Sequence, residues 1–464
     1  MEMPDTSVEG QTRSVADAPL RKDLGLLEAC GANILNMVGI GPFITIPLAL
    51  TAMGGPQVLL AWILGAGLSV CDGLVWAELG AAMPNSGGPY TYFLEAFGRQ
   101  GPGRLMSFLF LWQSVVVSPL SIASGAVGLG QYAQFLAPGL TTTGTKWLAA
   151  GVCVVTTALL YRDIKSIGRM SVVMLFVVLG TILVIVFGGV THFHPARVFD
   201  FPPHAWKLSP GFFAGLGAAT LISAYDYGGY YNICLVAGEV RQPGRVIPLS
   251  ILLAIGVVGA LYLLMTMSII SVVPWRDAMH STAIVSQFSQ ALYGSGAAVV
   301  MTWLIMGAAF ASVFAVMLGY SRVTYAAAAD GHFFRVFARL HPTKQFPHVS
   351  LVVLGVASAL ACMLSLEKLI KALMVIQTMI QFLTQCIAVM VIRAKRKDMR
   401  LPFRMPWYPL PALLALSGWI YIVGSNGWEY VLAGITLSLV GVGAYLWRAS
   451  NKAEWPFAAS NEKV

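Results

Sequence analysis

Charged residues are scarce in this chain of 464 residues: only 11% are Asp, Glu, Lys or Arg, whereas 57% are hydrophobic. An ordinary soluble domain carries roughly a quarter charged residues. So few charges do not cover a globular surface with solvated side chains. The composition therefore excludes a soluble enzyme and predicts that lipid surrounds most of the chain.

Clustered metal ligands and reactive groups are also lacking. The six cysteines are scattered singly through apolar stretches without any C-x-x-C pair, and the seven histidines fall in loops or at the ends of apolar stretches. Metal and redox sites need several such ligands at short spacing. We therefore expect no catalytic residue, no metal and no cofactor, and we predict that the protein is not an enzyme. Rings of charge or a filter motif, which an ion channel needs, are missing too.

Long apolar stretches are what the sequence does contain. A membrane-spanning helix needs ~20 predominantly apolar residues. Twelve stretches qualify, at 24–52, 57–82, 105–136, 146–161, 168–191, 210–236, 247–273, 296–328, 349–365, 369–392, 408–424 and 428–447. The prediction is an all-α integral membrane protein with twelve transmembrane helices. Residues 86–97 and 281–293 are amphipathic and too short to cross.

The basic residues predict the orientation of these helices. With the N-terminus inside, 23 of the 29 Lys and Arg residues fall on the cytoplasmic side, as the positive-inside rule requires. We therefore expect a multi-pass protein of the cell membrane with a cytoplasmic N-tail (1–23) and C-tail (448–464). The densest basic cluster, residues 393–404, lies where a helix leaves the membrane. It is interpreted as topogenic, with anionic headgroups as a further contact, and not as a nucleic-acid site.

Two of the apolar stretches are interrupted near their middle. In the first, G-I-G-P-F at residues 39–43 combines two glycines with a proline, which removes a backbone donor. In the sixth, residues 223–232 place Asp226 beside a Gly-Gly pair and four tyrosines. An ionisable residue at this depth is costly and indicates a functional site. Both helices are predicted to be discontinuous.

The two breaks occupy corresponding positions in two five-helix halves, 24–191 and 209–392, which are followed by helices 11 and 12 at 408–447. This pattern is typical of inverted-repeat transporters, whose substrate binds at the midplane between two broken helices. Taken alone, each break could also be a plain kink or a packing feature without a role in transport.

Such breaks expose backbone groups for a ligand. The N–H groups of Ile40, Gly41 and Phe43 begin a half-helix, where the dipole favours an anion such as a carboxylate. Orphaned carbonyls at Val38, Gly39 and residues 223–225 suit an ammonium. An α-amino acid supplies both charges. The tyrosines at 225, 227, 230 and 231 offer hydroxyls or aromatic faces.

Four segments resemble the amino acid/polyamine/organocation (APC) superfamily, with its leucine-transporter-like five-plus-five inverted repeat. They are residues 39–43; W-A-E-L-G-A-A-M-P-N-S-G-G-P-Y at 76–90; Y-D-Y-G-G with A-G-E-V-R-Q-P-G-R-V-I-P at 225–248; and A-D-G-H-F-F-R at 329–335. The resemblance implies an amino acid permease. It assigns the carboxylate to Ile40 and Gly41, and the amino group to the carbonyls of Val38, Ser223 and Tyr225 beside Asp226.

Two departures leave substrate and coupling open. The family's span-five lysine has no counterpart near Val178, and a faint likeness to the polyamine-uptake branch extends over residues 161–164. Candidates for gating or coupling are Asp72, Glu239 and Tyr230. Asp72 fits a proton-handling group, a polyamine contact or a partner of hydroxyl groups, and Glu239 fits an inner gate paired with Arg162, Arg169 or Arg245.

The sequence therefore predicts a secondary active transporter that imports amino acids by alternating access, with a co-transported proton favoured. The alternatives are a polyamine or organic cation:proton symporter and an amino acid exchanger. The expected partners are a small-molecule substrate and the lipid bilayer.

Overall fold

Backbone groups in hydrocarbon have no water to bond, so long apolar runs form helices. The structure, a computed structural model, describes residues 24–84, 88–161, 167–329, 331, 333–342, 346–452 and 454–457. The predicted N-tail and the end of the C-tail lie outside these ranges. Within them, helices are joined by short turns, with one isolated parallel β-bridge between Leu24 and Val240.

The α-helices, numbered along the chain, are α1 Leu26–Met37, α2 Gly41–Met53, α3 Val58–Ala82, α4 Pro89–Phe97, α5 Pro102–Leu136, α6 Thr142–Leu160, α7 Ile167–Thr191, α8 Pro195–Val198, α9 Pro210–Tyr227, α10 Asn232–Leu235, α11 Pro243–Val272, α12 Trp275–Ala278, α13 Ile284–Ala329, α14 His348–Ala361, α15 Leu366–Gln377, α16 Leu383–Lys395, α17 Leu410–Ser425 and α18 Trp428–Lys452. Short 3-10 turns cover Ala237–Glu239 and Arg335–Ala338, and a π-helical turn, Thr378–Phe382, joins α15 to α16.

Seven helical segments in the described ranges are long and apolar enough to cross a membrane, and the bent pair α1–α2 makes an eighth. Shorter apolar helices cover Val178–Thr191, α14 and α17. The chain is therefore an all-helical, multi-pass membrane protein. The amphipathic segments predicted at 86–97 and 281–293 correspond to α4 and to the first part of α13, which turns at Gly294 with a φ of 84°.

Helix packing divides the middle of the molecule into two groups. In the first helix group, α1, α2, α3, α9 and α11 pack on one another; in the second helix group, α5, α6, α13 and α14 do so. Close contacts within each group leave a boundary between them. The functional features described next lie on that boundary.

Candidate functional site

The first predicted break is present. Helix α1 ends at Met37, α2 begins at Gly41, and their axes differ by 52°. The end of α1 leaves carbonyls without intrahelical donors, and the Tyr262 hydroxyl donates to the Met37 carbonyl at 2.7 Å. The break is therefore held in place by a side chain from α11.

The second break follows Tyr227, where α9 ends and Gly229 adopts a φ of 111°. Only the four-residue α10 follows, and the Asn33 side chain accepts a 3.0 Å hydrogen bond from the Ile233 N–H at its start. A Cβ at Gly229 would lie 2.9 Å from the backbone of Asn36. Glycine is required here both by φ and by space. The two breaks are therefore packed directly against each other.

Asp226 joins the broken helices. Its Oδ2 accepts a 2.5 Å hydrogen bond from the Thr45 hydroxyl on α2. Its other oxygen, Oδ1, is buried without a hydrogen-bond partner in the described part of the chain. A Cβ built at Gly41 would overlap this Oδ1. The unpartnered Asp226 Oδ1 therefore lies beside Gly41, the first residue of α2, where the sequence predicts the substrate ammonium.

A cavity of about 390 Å³ opens at these breaks. Its walls come from both helix groups: the breaks themselves, α5 around Val117 and Ile122, and α13 around Val313 and Val316, with α15 and α17 adding further residues. Of the described residues that line it, only Asp226 is charged. The volume lies within the ~300–1,000 Å³ range of small-molecule sites.

Five of the predicted substrate-binding residues line this cavity: Gly39, Ile40, Gly41, Tyr225 and Asp226. Ile40 is the N-cap of α2 and Gly41 is its first residue, so no intrahelical carbonyl is available to their N–H groups. The Tyr225 hydroxyl lies 2.8 Å from the Ser124 hydroxyl of the second group.

The other four lie outside the lining. The Phe43 N–H, predicted as a carboxylate donor, instead donates to the Ile40 carbonyl at 3.1 Å, and Val38 is 2% exposed. Ser223 donates to the Ala61 carbonyl at 2.9 Å. Tyr227 packs edge-on against Trp62, because residues two apart on a helix face different directions.

Asp72 is buried behind the cavity wall. It accepts hydrogen bonds from the Tyr230 hydroxyl at 2.6 Å and the Trp419 indole at 3.1 Å, and the Cys386 thiol lies at 3.8 Å. Its partners are therefore phenol, indole and thiol groups, where the sequence suggested Ser or Thr. Tyr230 and Trp419 also line the cavity, so each links Asp72 to it through one side chain.

Glu239 lies beside the start of α1, since its backbone carbonyl accepts a 3.0 Å hydrogen bond from the Leu24 N–H. Of its predicted partners, Arg162 and the side chain of Arg169 lie outside the described residues. The gating role of Glu239 therefore stays a prediction.

Sequence reasoning missed the contribution of the tenth apolar stretch. Gln377 and Phe382 line the cavity at the π-helical turn, and Gln377 donates to the Tyr231 hydroxyl at 3.1 Å. Gln381 also bonds Gln113 on α5 at 3.0 Å. The signal was available, because Gln377, Gln381 and Gln385 recur every four residues on one helix face, and π-turns often mark functional positions.

Known proteins are similar in sequence to this chain over most of its length. Residues 24–444 match the family model described as amino acid permease. The chain is 26% identical to the branched-chain amino acid permease BcaP of Bacillus subtilis, with 92% of each covered. It is 33% identical to an uncharacterized transporter of Mycobacterium tuberculosis over 74% of each.

A third relative is longer than this chain. The mouse cationic amino acid transporter 4 is 27% identical over 82% of the chain, but that alignment spans only 61% of the mouse protein. This alignment therefore supports a shared family, but it does not support a shared substrate. On the family match over residues 24–444, this chain belongs to the amino acid permease family of the APC superfamily.

Proposed function

We propose that this protein is a secondary active transporter that imports amino acids across the cell membrane by alternating access. The proposal includes twelve membrane spans, a five-plus-five inverted repeat and cytoplasmic termini. It rests on one observation above all: the two broken helices meet at Asp226 and Gly41 and line a cavity between two helix groups. Such a placement allows one group to rock against the other around a fixed site.

The charge in the cavity favours an α-amino acid over a polyamine. A polyamine carries two or more ammonium groups and no carboxylate, yet Asp226 is the one charged residue among the described lining. Asp72 is separated from the cavity by Tyr230 and Trp419. One carboxylate beside free N–H groups matches one ammonium and one carboxylate of a zwitterion. The aliphatic walls from α5 and α13 favour a neutral, apolar side chain.

With the orientation that the basic residues predict, we infer an inward-facing state from the contacts at the boundary. On the α2 side the groups touch tightly, since a Cβ at Gly128 would lie 2.9 Å from the Ile44 side chain. On the other side the lining continues to Leu235 and Val323, near helix ends that the sequence assigns to the cytoplasm. Val323 is 42% exposed.

Transport by purified protein in liposomes tests this function. Labelled neutral and cationic amino acids and putrescine are compared, each with and without an inward proton gradient. We expect saturable uptake of a neutral, apolar amino acid. Uptake of putrescine but of no amino acid would contradict the proposal, and uptake only against internal amino acid would identify an exchanger.

Asp72 is the proposed proton-binding group, because its described partners are neutral. Tyr230 donates to Asp72 and also lines the cavity, so it connects the protonation state of Asp72 to the substrate site. Asp72→Asn should remove stimulation by the proton gradient while counterflow, which needs no net proton movement, continues. Tyr230→Phe, which deletes only the hydroxyl, should weaken stimulation in the same direction. Full stimulation in Asp72→Asn would exclude this role, and loss of counterflow as well would indicate a structural one.

A further inference from the structure

A second cavity, of about 310 Å³, lies at the end of α16 and in the segment that connects α16 to α17. Its lining contains four cations, Arg393, Arg396, Lys397 and Arg404, together with Met399 and Leu401. It shares no residue with the substrate cavity. Four cations around one space repel one another unless an anion is held among them.

Carboxylates neutralise only two of the four. Glu78, 1% exposed, binds Arg393 through Nε at 2.6 Å and Nη2 at 2.5 Å. Arg396 pairs with Glu95 at 2.8 Å and with Asp398 at 3.2 Å. These pairs hold both guanidinium groups at the cavity wall.

Lys397 and Arg404 are the two cations of the cavity that no described carboxylate neutralises. Neither has an ion-pair partner in the described part of the chain, and both side chains are exposed. The cavity therefore presents two uncompensated cations beside two fixed arginines. Guanidinium groups bind phosphate oxygens in parallel pairs, and ammonium adds a point charge.

The surroundings indicate a lipid as the source of the phosphate. The cavity follows the apolar helix α16, at the predicted cytoplasmic surface, where anionic lipids attract basic segments. Trp407, 81% exposed, lies a few residues away, and tryptophan concentrates at the headgroup level. Met399 and Leu401 supply an apolar wall for the glycerol end of a lipid.

We propose that this cavity binds the phosphate of an anionic phospholipid headgroup. Because Arg393 also holds Glu78, at the cytoplasmic end of α3, the bound headgroup contacts a residue that is anchored to the first helix group. The site is independent of the transported substrate, so it is testable even if the proposed function fails.

Native mass spectrometry of the purified full chain measures this binding, with phosphatidylglycerol compared with phosphatidylcholine. Lys397→Gln with Arg404→Gln leaves both carboxylate-bound arginines intact. Because both direct charged contacts to the phosphate are lost, occupancy by phosphatidylglycerol should fall about tenfold or more. The matched control, Lys395→Gln with Arg400→Gln, removes two exposed charges of the same segment that do not line the cavity. Because exposed charges outside the cavity are screened by salt, this control should retain binding within about twofold of the wild type.

Three results would overturn the proposal. Equal binding of the two lipids by the wild-type protein would exclude an anionic site, and equal losses in both double variants would indicate diffuse charge attraction. Displacement of the lipid by inorganic phosphate at equal concentration would assign the cavity to a soluble phosphate compound.

Discussion

Gly41→Val is expected to weaken substrate binding strongly. Even a single Cβ at this position overlaps Asp226 Oδ1, and Asp226 has little freedom to move because Thr45 holds its other oxygen at 2.5 Å. A β-branched side chain at the first residue of α2 also fills the space in front of the free N–H groups. Hydrogen bonds to a charged group contribute about 1.5–3 kcal/mol, so blocking the carboxylate contact should lower the affinity roughly tenfold to hundredfold.

Equilibrium binding of the labelled amino acid identified in the liposome panel measures this effect. Gly31→Ala is the matched control, because Gly31 lies in α1 and a Cβ there meets nothing within 4 Å. Thermal unfolding in detergent shows whether the valine variant folds. Wild-type affinity in a folded Gly41→Val protein would place the carboxylate site elsewhere.

Asp226→Asn is expected to produce the other large loss. Asparagine keeps an oxygen for the Thr45 hydroxyl but removes the negative charge beside Gly41. Removing one partner of a buried charge pair costs about 2–5 kcal/mol. The amino acid should therefore bind at least about 30-fold more weakly, taking ~1.4 kcal/mol per factor of ten.

A substrate analogue isolates the charge. The 2-hydroxy acid of the same side chain lacks the ammonium, so its binding should be weak in the wild type and unchanged in Asp226→Asn. A similar loss for the amino acid and the hydroxy acid would show that Asp226 supports the fold without pairing with the amino group. Thr45→Val, which removes only the hydroxyl, should give an intermediate loss.

The predicted backbone features were accurate because they depend on local chemistry. Two glycines and a proline disfavour continuation of α1, and Gly228 with Gly229 disfavour continuation of α9. The helix ends at Met37 and Tyr227 are therefore consequences of a few adjacent residues. Asp226 is a different case: its charge in an apolar stretch indicates a functional site, and that role stays a prediction.

The directions of individual side chains were harder to predict from the sequence. Tyr225 lines the cavity, whereas Tyr227, two residues later, packs against Trp62. Choosing between them needs the rotation of α9 about its axis, which the packing of α3 and α2 against it decides. The sequence predicts the Phe43 N–H as a substrate contact, but in the structure this group donates to the Ile40 carbonyl. That bond depends on how tightly the backbone turns at the break, which the sequence does not reveal.

The sequence by itself determined that lipid surrounds most of this protein, that it is helical, where its two helix breaks lie, and that a carboxylate lies between them. Composition and local backbone chemistry suffice for each. The tertiary structure alone decided that Gln377, Phe382 and Trp419 complete the cavity, that Asp72 meets Tyr230, and that Lys397 and Arg404 share a second cavity. The residues of the first cavity and the Asp72–Tyr230 pair come from segments far apart in the chain, and only the packing of one helix on another brings them together. Lys397 and Arg404 share one connecting segment, and the fold of that segment places both at the second cavity.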